Sequence, residues 1–326
     1  MSELLNGLVV KEQSGFFWVE VADGTVYMCR LRGKLMEEAQ SSDIAAIGDR
    51  VTMSILEQDE SGLKGVIEDV AERHSVLSRA VRTVGNRGAG DHEREHVIVA
   101  NPDTIFFVFA AAQPSPDLGL LDRFLVAGEI SGVDNLVIVV NKVDLEDPTN
   151  IESIFLPYTK MGYHLIQTSA KDGRGVDELR ALLVDKISAF SGPSGVGKTS
   201  LLNHIQPDLG RQVKQVSKTT AEGMHTTRDS ALIKLSGDVY SGTHTYLADT
   251  PGMRNLSVWD VEPDELDAYF IDIAEYVEHC RFGDCTHTNE PGCAVIKAVK
   301  AGEISKLRYK NYHLLRTELA ETFAVH

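Results

Sequence analysis

The stretch SGPSGVGKTS, residues 191–200, decides the fold of this chain. Gly192 and Gly197 supply the glycines of the pattern G-x-x-x-x-G-K-[ST], which let backbone N–H groups close around phosphates. Lys198 and Thr199 complete it, since the ammonium reaches the β- and γ-phosphates and the hydroxyl binds Mg²⁺. The run KISAF before the loop and the helix-compatible run LLNHI after it predict a strand, a phosphate-binding loop and a helix. The candidate nucleotide-binding residues of this loop are Gly192, Pro193, Ser194, Gly195, Val196, Gly197, Lys198, Thr199 and Ser200.

Two further motifs predict which base is bound. After the apolar run LVIVV comes an N-K-x-D motif, formed by Asn141, Lys142, Val143 and Asp144. The Asp144 carboxylate can accept hydrogen bonds from both guanine N1–H and the 2-amino group, whereas adenine offers neither donor there. After the run HLIQT come Ser169, Ala170 and Lys171, which fit the loop that closes over the base in GTPases. The two motifs favour GTP and GDP and disfavour a P-loop kinase or ATPase.

Downstream motifs predict the γ-phosphate side of the site. DTPG follows the run TYLA, so Asp249 would lie near Mg²⁺ and Gly252 near the γ-phosphate. The polar loop EGMHTTRDS, residues 222–230, contains Thr226 and Thr227, either of which could complete the metal shell, and we favour Thr227. The expected Mg²⁺ ligands are therefore Thr199, Thr227 and Asp249.

The order of these motifs along the chain is base motif, base loop, phosphate loop, switch threonine and D-x-x-G. Ordinary GTPases have the phosphate loop first and the base motifs last. A cyclic shift leaves every strand in place when the original termini lie close together and the new break falls in a surface connection. The order therefore predicts a circularly permuted GTPase.

The rest of the chain contains segments with different sequence patterns. Five short β-like runs between residues 7 and 70 predict a small barrel, for which we prefer an oligonucleotide-binding (OB) barrel over an SH3-like one. From residue 97, apolar runs alternate with helix-like stretches, as in a parallel α/β sheet, and after about residue 258 the pattern becomes helical. The predicted units are an OB-like barrel at 1–76, a linker at 77–96, the GTPase domain at 97–258 and a zinc-binding helical domain at 259–326.

The loop CRFGDCTHTNEPGC predicts a metal site. Its potential ligands are spaced C-x₄-C-x-H-x₅-C and are Cys280, Cys285, His287 and Cys293. Three thiolates and an imidazole suit tetrahedral Zn²⁺, and four protein ligands leave no open position for chemistry, so we expect one structural zinc ion. His279 adjoins Cys280 and is the alternative imidazole, whereas Cys29 stands apart as a buried strand residue.

Charge and hydropathy limit the class of protein. The net charge is −16, which repels polyanions at long range, so contacts with RNA would need local basic patches. One candidate basic patch comprises Lys297, Lys300, Lys306, Arg308, Lys310 and Arg316. It is as compatible with a solvated helix face as with an RNA-binding surface. The sequence has no run of eighteen apolar residues and its N-terminus does not read as a secretory signal. We therefore expect a cytoplasmic protein with no membrane contact.

The permuted order NKVD, SAK, GPSGVGKTS, GMHTT and DTPG, followed by CRFGDCTHTNEPGC, closely resembles the RsgA family, also called YjeQ or YloQ. The resemblance extends over nearly the whole chain. Its departures are GPSGVGKTS where the family more often has a GQSGVGKSS-like loop, and GMHTTR where GRHTTT is usual. Both keep the phosphate and metal contacts, but Met224 replaces an arginine that belongs to the family's pattern.

The resemblance implies an OB domain, a permuted GTPase domain and a zinc-containing C-terminal domain. It also implies GTP hydrolysis stimulated by the small (30S) ribosomal subunit during late maturation, with 16S rRNA as a partner and Mg²⁺ and zinc as cofactors; we expect a monomer.

Met253 stands where many GTPases have a water-positioning glutamine. His225, which matches a histidine assigned such a role in the family, is the candidate catalytic residue. The alternative is a regulatory switch whose barrel and zinc domain dock a non-ribosomal protein.

Overall fold

A single sheet links the N-terminal barrel to the nucleotide-binding fold in the computed structural model of the chain. The structure describes residues 4–38, 43–56, 62–83, 92–210, 230–249, 258 and 261–324. Within these residues, eleven strands form this sheet and two further strands form a second sheet.

The barrel consists of the first five strands. They are β1 Leu4–Gln13, β2 Phe16–Val21, β3 Val26–Leu31, β4 Arg50–Ile55 and β5 Lys64–Val70, with the short helix α1 at Gly33–Glu38. The strands close in the order β1-β2-β3-β5-β4-β1; β3 and β5 run parallel and the other pairs antiparallel. This closed order with one parallel pair is that of an OB barrel rather than an SH3-like one, which confirms the preferred fold. Val9, Met53 and Ile67 are buried in its interior.

Two strands occupy the ends of the segment 77–96, for which the sequence suggested a linker. Strands β6 Val76–Thr83 and β7 His92–Ala100 form an antiparallel pair. Leu77 and Val99 are opposite one another and buried, so their apolar area stabilises the pair. The expectation rested on the glycines between these strands, which lie outside the described residues, and it overlooked the paired segments on either side.

A parallel sheet forms the centre of the next domain. Its strands are β8 Thr104–Ala110, β9 Asn135–Asn141, β10 His164–Gln167, β11 Ile187–Ser191 and β13 Tyr246–Asp249, with β12 Ser230–Lys234 antiparallel at one side. In space they lie in the order β10-β9-β8-β11-β13-β12. Helices lie on both faces: α2 Leu118–Ile130, α3 Pro148–Lys160, α4 Val176–Leu183 and α5 Lys198–Ile205. Every residue of β8 is buried, as expected for a central strand covered on both faces.

The barrel continues this sheet directly. Strand β1 pairs antiparallel with β12, with Lys11 opposite Ala231. Glu20 of the barrel accepts a hydrogen bond from Tyr246 at 3.0 Å and forms an ion pair with Lys234. Backbone and side-chain bonds therefore both cross the boundary between the barrel and the parallel sheet.

The C-terminal region is helical, as predicted. Its helices are α6 Ile271–Val277, α7 Ala294–Ala301 and α8 Lys306–Ala324, and they enclose a core of their own. Val126 of α2 also belongs to that core, so the region packs against the parallel sheet's helical layer. Among the described residues, none of the helices is both long enough and apolar enough to cross a lipid bilayer.

A buried ion-pair cluster fastens these helices to the domain that contains the parallel sheet. Arg308 of α8, 2 % exposed, donates to Asp122 of α2 at 2.5 Å and with two nitrogens to Asp272 of α6 at 2.7 and 3.0 Å. Tyr158 of α3 and Asn311 of α8 donate to the Asp122 carboxylate at 2.9 and 2.6 Å. Burial raises the pKa of Asp122, whereas the charge of Arg308 lowers it in part. Four helices thus meet at one guanidinium.

This cluster changes the interpretation of the basic segment. Arg308 is buried and Arg316 forms an ion pair with Asp264, so neither matches a freely solvated cation. The exposed members of the segment are Lys297, Lys300, Lys306 and Lys310. The candidate RNA-binding patch is therefore smaller than the sequence suggested.

Replacement of Arg308 should destabilise the protein. Arg308→Met leaves the Asp122 and Asp272 carboxylates buried without their cation, so we expect the free energy of unfolding to fall by about 3–5 kcal/mol. Urea denaturation followed by circular dichroism measures this change. Lys310→Met, on the same helix but exposed, is the control and should change stability by less than about 0.5 kcal/mol. Equal stability of the two variants would contradict the role of the cluster.

Candidate functional site

The predicted motifs meet at one edge of the parallel sheet. N-K-x-D begins at the last residue of β9, the S-A-K loop follows β10, the phosphate loop begins at the end of β11, and D-x-x-G begins at the last residue of β13. Because the carboxyl ends of parallel strands lie at the same edge, segments far apart in sequence become neighbours there. This edge is where open α/β sheets bind their ligands.

The phosphate loop needs its glycines for close backbone approach. A Cβ at Gly192 would lie 2.2 Å from the carbonyl oxygen of Val108, and one at Gly197 would lie 2.4 Å from Nδ2 of Asn141. Gly197 also has a φ of +95°, which side-chain-bearing residues rarely adopt. Helix α5 begins directly afterwards at Lys198, so its first N–H groups lie beside the loop and favour an anion there. The Lys198 ammonium donates to the carbonyls of Gly192 and Pro193 at 2.5 and 2.7 Å.

Asn141 joins the phosphate loop to the base loop. Its side chain is 1 % exposed, and Nδ2 donates to the carbonyl of Val196 at 2.8 Å. Its Oδ1 accepts from the backbone N–H of Ala170 at 3.1 Å and from the Thr168 hydroxyl at 3.3 Å. One buried amide therefore satisfies polar groups of two loops, and neither loop can move without losing a hydrogen bond.

The candidate base-recognition carboxylate is held in place. Ser169, which is fully buried, donates from its hydroxyl to Oδ1 of Asp144 at 2.8 Å. Lys171 lies 3.7 Å from Oδ2 of the same carboxylate, and 14 % of the Asp144 side chain is exposed. An ionised carboxylate has lone pairs for about four donors, so Asp144 keeps acceptor capacity for a ligand. Lys142 donates to the carbonyl of Gly195 at 2.7 Å and so covers the phosphate loop.

Several predicted site residues fall outside the described residues. They are His225, Thr226, Thr227 and Gly252, together with Met224 and Met253. Asp249 is described as the last residue of β13, opposite Ala231. Thr199 lies in the first turn of α5, next to Lys198.

The four potential zinc ligands come together in the C-terminal region. The ligand atoms of Cys280, Cys285, His287 and Cys293 all lie within 4.8 Å of one another. Nδ1 of His287 is 3.6 Å from Cys280 Sγ and 3.5 Å from Cys293 Sγ, and these two sulfurs are 3.9 Å apart. Bonds of about 2.3 Å to sulfur and about 2.0–2.1 Å to nitrogen put tetrahedral neighbours roughly 3.5–3.8 Å apart, so the donor set fits Zn²⁺. His279 lies outside this group of described residues.

Residues beyond the motif support these ligands. Asp267 accepts from Nε2 of His287 at 3.0 Å, which leaves Nδ1 to face the thiols. Burial alone would lower the pKa of His287, but its hydrogen bond to Asp267 and the charge of Cys280 raise it. The Tyr309 hydroxyl donates to the carbonyl of His287 at 2.5 Å. Sequence reasoning missed Asp267 because it precedes His287 by twenty residues and belongs to no local pattern.

These observations define a class of protein. The strand that leads into the phosphate loop lies in the middle of the sheet. The base motifs follow strands that come earlier in the chain, and D-x-x-G follows a later strand. This domain therefore has the fold of a circularly permuted P-loop GTPase. A closed five-stranded barrel precedes the domain, and a helical region with a Cys₃His group follows it.

Comparison with known proteins identifies the family. The model of the RsgA GTPase family matches residues 70–259, and that of the RsgA N-terminal domain matches residues 6–63. The chain belongs to the RsgA GTPase family and is an enzyme that hydrolyses GTP.

The similarity extends over whole chains. Two relatives named small ribosomal subunit biogenesis GTPase RsgA, from Chlorobaculum tepidum and Moorella thermoacetica, are 37% and 39% identical to this chain. Each alignment covers 98% of this chain and, respectively, 100% and 98% of the relative. The crystal structure of YjeQ from Thermotoga maritima has a TM-score of 0.74 at 34% identity and covers 98% of this chain and 99% of that one. The structure of YloQ, described as a circularly permuted GTPase, has a TM-score of 0.71 at 29% identity, with 98% and 96% covered.

Removal of the Asn141 amide should weaken the site even without nucleotide. Asn141→Ala leaves the Val196 carbonyl and the Ala170 N–H without their partner, so we expect a loss of about 1–3 kcal/mol in the free energy of unfolding. Urea denaturation of the nucleotide-free protein measures it, and titration with fluorescent GDP should show weaker binding. The control is Asn135→Ala, because Asn135 begins the same strand but is exposed and donates to the Asp103 carbonyl. The interpretation fails if both variants lose the same stability.

Proposed function

We propose that this protein binds the small ribosomal subunit during its late maturation and hydrolyses GTP in response to it. The observation that carries the proposal is the end-to-end match to relatives named small ribosomal subunit biogenesis GTPase, which includes the barrel and the helical Cys/His region as well as the GTPase domain. A protein that only shared the GTPase chemistry would match over that domain alone. The relatives' names support a role in ribosome biogenesis, and the direct response to the small subunit is the more specific part of the proposal.

Guanine nucleotide would occupy the carboxyl edge of the parallel sheet. The base would meet Asp144, held by Ser169, and the S-A-K loop, held by Asn141. The phosphates would be enclosed by the backbone of residues 192–197 and by Lys198. Thr199, Thr227 and Asp249 would hold Mg²⁺, which neutralises charge on the phosphate oxygens when bound. The described geometry supports this proposal because it brings the base and phosphate segments together around one buried amide.

Slow intrinsic turnover is part of the proposal. A thioether at Met253 cannot orient water as a glutamine amide does, so the isolated enzyme lacks that positioning group. His225 is the proposed substitute because an imidazole can orient water or accept a proton near neutral pH. It lies two residues before Thr227 in the sequence, so a partner that binds this segment would act on both residues.

The Cys₃His group is proposed to hold one structural zinc ion. Its four protein ligands leave no position for substrate, and Cys293 caps the start of α7. Exposed lysines on α7 and α8, including Lys297 and Lys310, would contact rRNA phosphates. By binding the loop in front of α7, zinc would fix the orientation of the helices that contact the subunit.

GTP hydrolysis with and without purified small subunits tests the proposal. We expect the turnover number to rise at least about tenfold with small subunits, as for other GTPases completed by a partner, and to stay unchanged with large subunits. His225→Ala should keep GDP affinity and lose the stimulation. The Asp144→Asn variant is the specificity control. It should prefer xanthine nucleotides, because an amide cannot accept hydrogen bonds from both guanine donors as a carboxylate does.

The outcomes separate the competing functions. Stimulation by a non-ribosomal protein fraction but not by small subunits would support a switch that docks another partner. If neither small subunits nor the non-ribosomal fraction changes the rate of GTP hydrolysis, the protein is a GTPase without the proposed regulation, and the ribosomal proposal is refuted.

Zinc analysis tests the metal proposal. The purified protein should contain about one zinc ion per chain. The Cys293→Ala variant should contain none, and its helical circular dichroism signal should be weaker because zinc binding contributes to folding. Asp267→Asn should lower zinc affinity about tenfold or more in competition with a chelator, because His287 loses the carboxylate that orients it. Cys29→Ala is the matched control, since Cys29 is a buried cysteine of the barrel. Full zinc content in Cys293→Ala would refute the assignment.

A further inference from the structure

A histidine on the phosphate-loop helix reaches the base loop. His204 lies in the last turn of α5, the helix that begins at Lys198. Its Nε2 is 2.5 Å from the carbonyl oxygen of Ala170 in the S-A-K loop. A carbonyl oxygen only accepts, so Nε2 carries the proton and donates. His204 itself belongs to none of the nucleotide-binding motifs.

The hydrogen bond completes a clamp on Ala170. The N–H of Ala170 donates to Asn141 at 3.1 Å, and its carbonyl accepts from His204 at 2.5 Å. Both peptide groups that flank this residue are thereby oriented, one from strand β9 and the other from helix α5. Ser169, the residue before it, orients the Asp144 carboxylate at 2.8 Å. The clamp therefore sits next to the group proposed to recognise guanine.

The helix end that carries the histidine is itself fixed. Arg180 of α4 donates to the carbonyl of His204, and its other terminal nitrogen donates to Asp177 at 2.7 Å. Arg180 follows the base loop in the chain, so the segment after the loop also holds the helix that supports it. Leu201 and Ile205 of the same helix are buried in the core. His204 is thus presented from a packed helix.

We infer that His204 is a positioning residue for guanine-nucleotide binding, and this inference rests on the proposed nucleotide site. The imidazole would keep the base loop closed before nucleotide arrives, so the loop would lose less conformational freedom on binding. It acts through the carbonyl of Ala170. Its loss should weaken GDP and GTP equally and leave turnover at saturating GTP unchanged.

Three substitutions of His204 separate the hydrogen bond from side-chain volume. His204→Ala removes both, His204→Leu keeps bulk without a donor, and His204→Gln places an amide N–H near the position of Nε2. We expect the dissociation constants for fluorescent GDP and a GTP analogue to rise about three- to tenfold in His204→Ala and His204→Leu. His204→Gln should recover most of the affinity. The matched control is His244→Ala, an exposed histidine that precedes β13 at the opposite edge of the sheet.

Each outcome decides the inference. Wild-type affinity in His204→Leu would overturn it, and so would equal weakening in His204→Gln and His204→Leu, because the donor would then be irrelevant. A lower turnover number with unchanged affinity would also overturn it. If His204→Ala fails to fold, the comparison of Gln with Leu still decides the result. Absence of guanine-nucleotide binding in the wild-type protein would instead refute the proposed nucleotide site.

Discussion

The buried amide of Asn141 is the constraint on which the candidate nucleotide site depends. It binds Val196 in the phosphate loop and Ala170 in the base loop, which are separated from it by 55 and 29 residues in sequence. A hydrogen bond depends on where atoms lie and not on the order in which the chain reaches them. The permuted chain therefore keeps the same junction as long as the strands keep their places in the sheet. Gly197 shares this constraint, because a side chain there would displace the amide.

The strand order shows what lies beside the phosphate-loop strand and at the edge of this sheet. With the usual order rotated, the phosphate-loop strand β11 stays central between β8 and β13. Strand β12 would otherwise be an open edge, and β1 of the barrel pairs with it. An exposed edge is a site for unwanted strand pairing, so the barrel protects the sheet while it extends it. In the sequence, the D-x-x-G motif that begins at the last residue of β13 comes shortly before the helical region.

Contiguous motifs made the permuted fold and the Cys₃His group predictable, because each motif needs its residues within a short loop. Interactions between distant segments were not predictable from one sequence. The pairing of β3 with β5, which distinguishes an OB barrel, leaves no trace in the alternation of apolar residues. Arg308 looked like a surface cation because its two carboxylate partners lie 186 and 36 residues away. The pairing of β6 with β7 was missed because nearby glycines suggested a linker.

The two boundaries of the GTPase domain differ in kind. Backbone pairing between β1 and β12 carries the sheet into the barrel, so a twist of the sheet on one side is imposed on the other. The helical region is joined, within the described residues, by packed side chains and the guanidinium of Arg308. Side-chain contacts can exchange partners without breaking a strand ladder. A relative movement of the barrel and the GTPase domain would therefore break backbone hydrogen bonds, whereas a movement of the helical region would break, among the described residues, only side-chain contacts.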